Sequence, residues 1–254
     1  MIDIHAHILP GVDDGADSAG TALEMARIAA QSGVRAMVAT PHCGKPGAER
    51  SNFFSMELLN RVTAFQKEIW NHGIELKIYP GMEVFATERF EEWLCAGKLL
   101  PLAGSRYLLV EFYFDESPVY IARVLGLIRK KGLIPVVAHP ERYYCVQWEP
   151  ETAYTWAREG NVLQLNRGSI QGKLGEPAMK CAWQLLETGA PQVAASDAHG
   201  SEYRRPELKS LMLELSQRLS WAYASKLLIE NPRSILRNTS LDSSIELPEN
   251  LERK

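Results

Sequence analysis

The chain has 254 residues, 46% of them hydrophobic, and a formal net charge of −3. This length allows one large core, and the lack of basic runs argues against nucleic acid as a partner. We find neither a signal-peptide pattern nor an apolar run near the roughly 18 residues that span a bilayer, so we expect a cytoplasmic protein that is not membrane-embedded. The four cysteines form no CxxC pair, and we expect free thiols.

Seven short apolar runs, rich in β-branched residues and bounded by Gly or Pro, predict buried parallel strands. In chain order these runs cover 1–6, 34–40, 75–81, 106–112, 133–139, 161–166 and 192–196. The amphipathic stretches between them predict helices over 18–32, 53–72, 88–96, 118–131, 150–159 and 175–188. Ser18 is a candidate N-cap of the first helix, which ends at Gly33.

This alternation of strand and helix predicts a parallel α/β fold. The pattern fits a TIM-like barrel with one unit missing, and a doubly wound open sheet is the alternative that periodicity does not separate from it. We find no linker or repeat, so we expect a single domain over 1–240. The polar tail over 241–254 contains Pro248 and is expected to be loose.

Polar side chains follow each predicted strand, at the edge where active sites of parallel α/β folds lie. Five of the six histidines fall at these strand ends, and His72 is the exception. The residues at the strand ends are His5, His7, His42, Glu83, Glu111, His139, Arg142, Asn166, Arg167, Asp197 and His199.

Two spacings indicate that these ligands converge. Residues i and i+2 of a strand face the same side, so His5 and His7 point together, as do Asp197 and His199. An isolated HxH on a strand is more often chance than a metal site, but such an explanation would have to hold at six strand ends. His, Asp and Glu bind Mn, Fe or Zn, and the set exceeds what one ion uses, so we predict two or three metal ions.

Three arginines are candidates for binding an anionic substrate. Arg142 follows His139 by three residues, and Arg204 and Arg205 follow His199 in "HGSEYRRPEL". Guanidinium groups suit phosphate oxygens, although the adjacent pair also fits a solvated loop.

The motifs "DIHAHILPGVDDG", "ATPHC", "PGMEV", "LLVEF", "VVAHPER" and "ASDAHG" together resemble the PHP (polymerase and histidinol phosphatase) superfamily. Over about Met1 to Pro206 they look most like its bacterial protein-tyrosine phosphatases of capsular and exopolysaccharide synthesis, the CpsB/CapC and YwqE type. The resemblance implies a distorted (β/α)7 barrel that holds three metal ions, commonly manganese. It also implies a phosphotyrosine protein as substrate, namely a tyrosine kinase of polysaccharide synthesis.

The resemblance assigns three groups of ligands. The first is His5, His7, Glu83 and Asp197. The second shares Glu83 and adds Glu111 and His139, and the third is Asp14, His42 and His199. Asp14 is also a candidate acid. Arg142 is implied to bind phosphate, and of Arg204 and Arg205 the second is favoured because it directly precedes a proline.

The expected reaction is the hydrolysis of phosphotyrosine, whose phenolate leaves readily because tyrosine has a pKa of about 10. A cysteine mechanism needs C-x5-R, but Glu49, Pro101, Glu151 and Glu187 stand six residues after the four cysteines. Three alternatives remain: a histidinol-phosphate phosphatase, an amidohydrolase, and a non-catalytic metal-stabilised partner in a polysaccharide assembly. The amidohydrolase is disfavoured because Glu111 stands where that family usually has a lysine.

Overall fold

A computed structural model describes residues 1–49 and 51–242 of the chain, and its strands pair in parallel. All seven predicted strands are present, and two short strands that the sequence analysis did not assign are added. The nine strands of the described residues are β1 (Ile2–Ala6), β2 (Ala36–Ala39), β3 (His42–Cys43), β4 (Lys77–Pro80), β5 (Glu83–Phe85), β6 (Tyr107–Glu111), β7 (Ile134–Ala138), β8 (Val162–Asn166) and β9 (Val193–Ala195).

These strands form two sheets in which strand order follows chain order. The first sheet is β1-β2-β4, and the second is β3-β5-β6-β7-β8-β9. Breaks at 40–41 and 81–82 carry the chain from the first sheet into the second. A bridge between Ala6 and Ala198 joins the end of β1 to the segment after β9. Within the described residues the strand order never reverses, so the doubly wound alternative is not supported.

The six predicted helices are confirmed, with ends that differ by at most three residues. The sequence analysis missed two short helices, α5 and α7, and the helical segment that follows β9. Two 3-10 turns and a π-helical turn complete the set. The helices are α1 (Ala19–Gln31), α2 (Met56–Asn71), α3 (Phe90–Cys95), α4 (Pro118–Lys130), α5 (Tyr144–Trp148), α6 (Glu151–Arg158), α7 (Arg167–Ile170), α8 (Glu176–Glu187), α9 (Lys209–Arg218), α10 (Trp221–Ser225) and α11 (Asn231–Leu236).

Serine side chains start three of the long helices. Ser18, Ser55 and Ser117 each accept a hydrogen bond from a backbone N–H in the first turn, which satisfies a donor that the helix itself leaves free. A serine-to-alanine change at such a cap typically costs about 1 kcal/mol. The N-cap predicted at Ser18 is therefore confirmed.

Both faces of the central strands are buried, as the apolar runs predicted. In β6, Leu108 and Val110 belong to the larger core cluster, while Tyr107 and Leu109 belong to a second cluster on the other face. Glu111 continues the Tyr107 and Leu109 face by the two-residue period of a strand. A charged residue therefore ends a row of buried apolar ones.

Other expectations can be compared with the described residues directly. All four cysteines are free. His72 lies exposed at the C-cap of α2, away from the strand ends. No helix within 1–49 and 51–242 is long and apolar enough to cross a membrane. The predicted tail over 241–254 lies outside the described residues except for its first two positions.

The loop after β1 folds back onto the strand end. Ala16 N–H donates to the carbonyl of His7 at 3.0 Å, and Gly11 N–H donates to the carbonyl of Ala16 at 2.8 Å. A Cβ atom on Gly15 would lie 2.1 Å from the carbonyl oxygen of His7. The motif "LPGVDDG" therefore needs glycine at this position because the two backbones approach so closely.

We expect Gly15→Ala to destabilise the protein by about 2 kcal/mol, since either the loop or the end of β1 must move. Urea unfolding measures the change in free energy. Gly20→Ala is a matched control, because the nearest atom to its new Cβ is 3.8 Å away and alanine is the better helix former. Equal stabilities of the two variants would contradict the close-approach argument.

Candidate metal centre

The first predicted ligand group lies where the ends of β1, β5 and β9 meet. The Nε2 atoms of His5 and His7 are 3.3 Å apart. His5 Nε2 lies 3.2 Å from Glu83 Oε1 and 3.4 Å from Asp197 Oδ1. His7 Nε2 lies 3.2 Å from Glu83 Oε2 and 3.5 Å from the same Asp197 oxygen. All four side chains are buried.

These separations fit four ligands around a single cation. Ligands that surround an ion tetrahedrally at about 2.0–2.1 Å are about 3.3–3.4 Å from one another. Hydrogen bonds between the same atoms would be shorter, near 2.7–2.9 Å. The spacing therefore matches coordination better than direct pairing.

The second predicted group surrounds the two glutamates. His139 Nε2 lies 3.2 Å from Glu83 Oε1 and 3.5 Å from Glu111 Oε1. His42 Nδ1 approaches the other side of the same pair, at 3.1 Å from Glu83 Oε2 and 3.6 Å from Glu111 Oε2. Glu83 thus lies next to both the first and the second groups, as a bridging carboxylate would.

The third predicted group lies at the rim of the second. Asp14 Oδ1 is 3.4 Å from His42 Nε2 and 3.7 Å from His199 Nε2. Ligand atoms of these residues and of His7 lie within 4.8 Å of one another. His42 therefore stands between two groups, with one ring nitrogen toward each. The structure brings all nine predicted ligands into one cluster.

The buried carboxylates of this cluster favour the binding of a cation. Burial and the negative charges of Glu83 and Asp197 raise the pKa of Glu111 to about 8. Burial lowers the pKa of His139 to about 4, so this ring is neutral at pH 7, as a metal ligand must be. Glu83 and Glu111 each retain one buried oxygen that receives no hydrogen bond from the described residues. Such buried, underpaired carboxylates are costly unless a metal ion binds them, so the residues present fit divalent cations.

Two residues orient the histidines of β1. His7 Nδ1 lies 2.6 Å from Asp13 Oδ2, and His5 Nδ1 lies 2.8 Å from Gln164 Oε1. With a proton on each Nδ1, the rings donate to these oxygens and direct Nε2 toward the cluster. Asp13 also accepts from the backbone N–H of His42 at 2.9 Å.

The sequence analysis assigned no role to Asp13 and did not identify Gln164. The "DDG" motif placed Asp13 next to a candidate ligand, but adjacent aspartates look alike in sequence. Gln164 lies in the middle of the apolar run of β8, and a polar residue at such a buried position is a signal that could have found it. Asn166, also on β8, donates to Asp197.

A cavity of about 340 Å³ opens beside the cluster. Its polar lining contains the predicted ligands from the second group, together with Arg142 and Arg204. Arg204 Nη2 lies 2.6 Å from Asp197 Oδ2, and Arg142 Nη1 lies 3.8 Å from the same oxygen. Arg205 is exposed and is not among the described residues that line this cavity. Arg167 is buried elsewhere, against Glu207.

Lys45 is a further cation at the cavity that the sequence analysis did not single out. Its Nζ donates to Asp14 Oδ2 at 2.8 Å and lies 2.7 Å from His42 Nε2. Lys45 belongs to the 44–54 loop, and these contacts place the first part of that loop at the entrance of the cavity.

Strained backbone positions concentrate at the same place. His139, Asp197 and Arg204 all have positive φ, at 35°, 49° and 43°. Side chains other than glycine rarely adopt this conformation, and strain of this kind collects at functional sites. The surrounding fold holds two proposed ligands and one arginine in a geometry that their backbone does not prefer.

Comparison with known proteins gives a consistent result. A family model described as "Capsular polysaccharide synthesis, CpsB/CapC" matches residues 1–237. The chain is 32% identical to tyrosine-protein phosphatase YwqE of Bacillus subtilis, over 95% of this chain and 93% of that protein. It is 30% identical to tyrosine-protein phosphatase CpsB of Streptococcus pneumoniae, over 93% and 98%.

A solved structure extends the similarity to three dimensions. It comes from work on YwqE from Bacillus subtilis and CpsB from Streptococcus pneumoniae, described as unique metal-dependent tyrosine phosphatases. The two folds superpose with a TM-score of 0.88 at 32% sequence identity, over 95% of this chain and 96% of the other.

We expect Asp13→Ala to weaken metal binding by about 10- to 100-fold, since His7 loses the partner that fixes its ring. Calorimetric titration of the metal-free protein with Mn²⁺ measures this affinity. Asp17→Ala is the control, because this nearby aspartate is exposed and its side chain accepts from Thr21. Unchanged affinity in Asp13→Ala would contradict the positioning role.

Proposed function

Because this chain belongs to the CpsB/CapC family of capsular polysaccharide synthesis, we propose that it is a metal-dependent protein-tyrosine phosphatase. The observation that carries the proposal is the convergence of nine His, Asp and Glu side chains in one cluster, six of which line a cavity that also contains two arginines. Carboxylates and imidazoles suit divalent cations, and guanidinium groups suit phosphate.

We assign the metal ligands in three groups. The first is His5, His7, Glu83 and Asp197, the second is Glu83, Glu111 and His139, and the third is Asp14, His42 and His199. Two or three divalent ions, manganese foremost, would be bound there. Such ions polarise phosphoryl oxygens and activate water at neutral pH. The separations among His5, His7, Glu83 and Asp197 support the first group in particular.

The arginines orient the phosphate. The Arg142 guanidinium stacks on the ring of Phe114, 4.3 Å from its centroid, which restricts the side chain before substrate binds. Asp197 holds Arg204 through its Oδ2 atom, whereas its Oδ1 atom faces the histidines. Both guanidinium groups can stabilise the negative charge that develops on the non-bridging oxygens of the phosphate. Because each side chain is already held in place, neither has to change its conformation during the reaction.

Asp14 acts in this scheme as a ligand, not as a proton donor. Burial raises the pKa of its carboxyl, but the hydrogen bond from Lys45 and the neighbouring positive charges outweigh burial and lower the pKa below its usual value. Asp14 is therefore ionised at neutral pH. A phenolate leaving group, with a pKa of about 10, needs less help from an acid than an alkoxide does.

We also propose the finer features of the architecture and setting. Counting β2 with β3 and β4 with β5 as single interrupted strands leaves seven, which together with the Ala6–Ala198 bridge supports a closed, distorted (β/α)7 barrel. The domain would span 1–240 and be followed by a tail over 241–254. The proposed substrate is a phosphorylated tyrosine kinase of polysaccharide synthesis, encountered in the cytoplasm.

The proposal is tested with a tyrosine-phosphorylated peptide. We expect hydrolysis that is abolished by chelation and restored by Mn²⁺, since the ligand set requires metal. Iodoacetamide should leave activity intact, because among the described residues no cysteine lines the cavity. Cys43 and Cys181 are also buried, and burial raises the pKa of each thiol to about 12. Full activity after exhaustive metal removal, or turnover of histidinol phosphate in preference to the peptide, would overturn the proposal.

The two adjacent arginines form a matched pair of variants. Arg204→Ala should lower kcat/KM by about 100-fold, because it removes a cation that lines the cavity. Arg205→Ala should change it by less than about twofold, as is typical for an exposed side chain. Steady-state kinetics on the same peptide, with circular dichroism to verify folding, measures both. The reverse ranking would assign the role to Arg205, as its position before Pro206 suggested.

A further inference from the structure

The cavity beside the metal cluster has a second, aromatic end that the phosphate chemistry does not use. Besides its charged lining it is bordered by Phe85, Tyr113 and Phe114, which we call the aromatic wall. Pro46 of the 44–54 loop also lines the cavity. One cavity of about 340 Å³ therefore joins an ionic region to an apolar one, a size ordinary for a small-molecule site.

The strand register places two rings of the aromatic wall beside the carboxylates. Glu83 and Phe85 stand two residues apart on β5, so they share a face. Phe85 pairs with Glu111 across β5 and β6 and is therefore level with it, and Tyr113 follows Glu111 by two residues. Each of the two glutamates thus has an aromatic residue two positions later in the chain.

The aromatic side chains are arranged as a preformed surface. The rings of Phe85 and Tyr113 lie 4.7 Å apart at 75°, an edge-to-face pair. Phe85 is 6% exposed, while Tyr113 is 47% exposed, which is high for a tyrosine that follows a buried strand. A ring this exposed at a cavity mouth gains apolar area when a ligand covers it.

Arg142 connects the two ends of the cavity. Its guanidinium lies over the face of Phe114 and is also 3.8 Å from Asp197, at the edge of the metal cluster. A ligand whose anion contacts Arg142 would therefore have its remaining atoms beside Phe114 and the Phe85–Tyr113 pair. A flat apolar ring fits such a place, and a short alkyl chain would leave the rings uncovered.

We propose that the aromatic wall is a binding subsite for the ring of an aryl phosphate and selects phosphotyrosine over phosphoserine and phosphothreonine. This inference rests on the proposed phosphatase function and names what that site recognises beyond phosphate. Selectivity arises from contact with the ring, in addition to the easier departure of a phenolate. The phosphate end contributes equally to aryl and alkyl esters.

Non-hydrolysable phosphonates separate binding from reactivity. Phenylphosphonate and methylphosphonate carry the same anion, and their P–C bond is not cleaved by a phosphatase. Calorimetry on the Mn²⁺-loaded protein should give about tenfold tighter binding of phenylphosphonate. In Tyr113→Ala the preference should fall by about three- to tenfold, and Tyr113→Phe should retain it.

Tyr144→Ala is the matched control, because this tyrosine is 46% exposed but does not line the cavity among the described residues. It should keep the full preference. Equal affinities of the two phosphonates in the unaltered protein, or an unchanged preference in Tyr113→Ala, would overturn the inference.

A parallel assay with phosphotyrosine and phosphoserine peptides distinguishes the two proposals. Hydrolysis of phosphotyrosine without a phenylphosphonate preference would reject the aromatic subsite and leave the phosphatase function standing. A Tyr113-dependent preference without peptide hydrolysis would support the subsite and reject the phosphatase function.

Discussion

Three buried carboxylates held close together are the constraint on which the rest of the site depends. Glu83, Glu111 and Asp197 approach each other at the ends of parallel strands, where burial and mutual repulsion raise the pKa of Glu111 to about 8. Positive charge must balance them, and the surrounding histidines supply it only in part. Divalent cations, as proposed for this site, would complete the balance and would explain why a stable fold retains such a costly arrangement.

Residues outside the ligand set hold this arrangement in place. Asp13 and Gln164 orient His7 and His5, and Asn166 donates to Asp197, so three proposed ligands have a fixed direction before metal binds. The loop after β1 is tied to the His7 carbonyl, which places Asp13 within reach of both His7 and His42. The same loop thus contains a residue that positions a histidine, Asp13, and a proposed ligand, Asp14.

The cavity combines ionic and apolar chemistry because two neighbouring strands each end in a carboxylate followed by an aromatic residue. Glu83 precedes Phe85 and Glu111 precedes Tyr113 by two residues, so proposed metal ligands and aromatic rings lie side by side at these strand ends. Arg142 extends from the cluster to Phe114 and joins the ionic and apolar regions. In a family of tyrosine phosphatases, this arrangement matches a substrate that is itself an anion attached to a ring.

Seven of the strands and six of the helices follow from local patterns, because apolar runs, serine caps and glycine ends are readable within a few residues. The sequence analysis missed β3 and β5, because strands of two or three residues after Pro41 and Gly81 are too short to show the two-residue period of a strand. The helices of the segment after β9 were not assigned, although α9 packs Leu211 and Leu215 into the core.

The sequence by itself determined the parallel α/β class and the residue types of the proposed metal site, because most of the candidate ligands lie at or just after a predicted strand. Tertiary structure alone decided which ligands approach one another, that Asp13 faces His7, and that Arg204 rather than Arg205 turns toward Asp197. Those outcomes depend on register between distant strands and on a positive φ at Arg204, neither of which has a local signature.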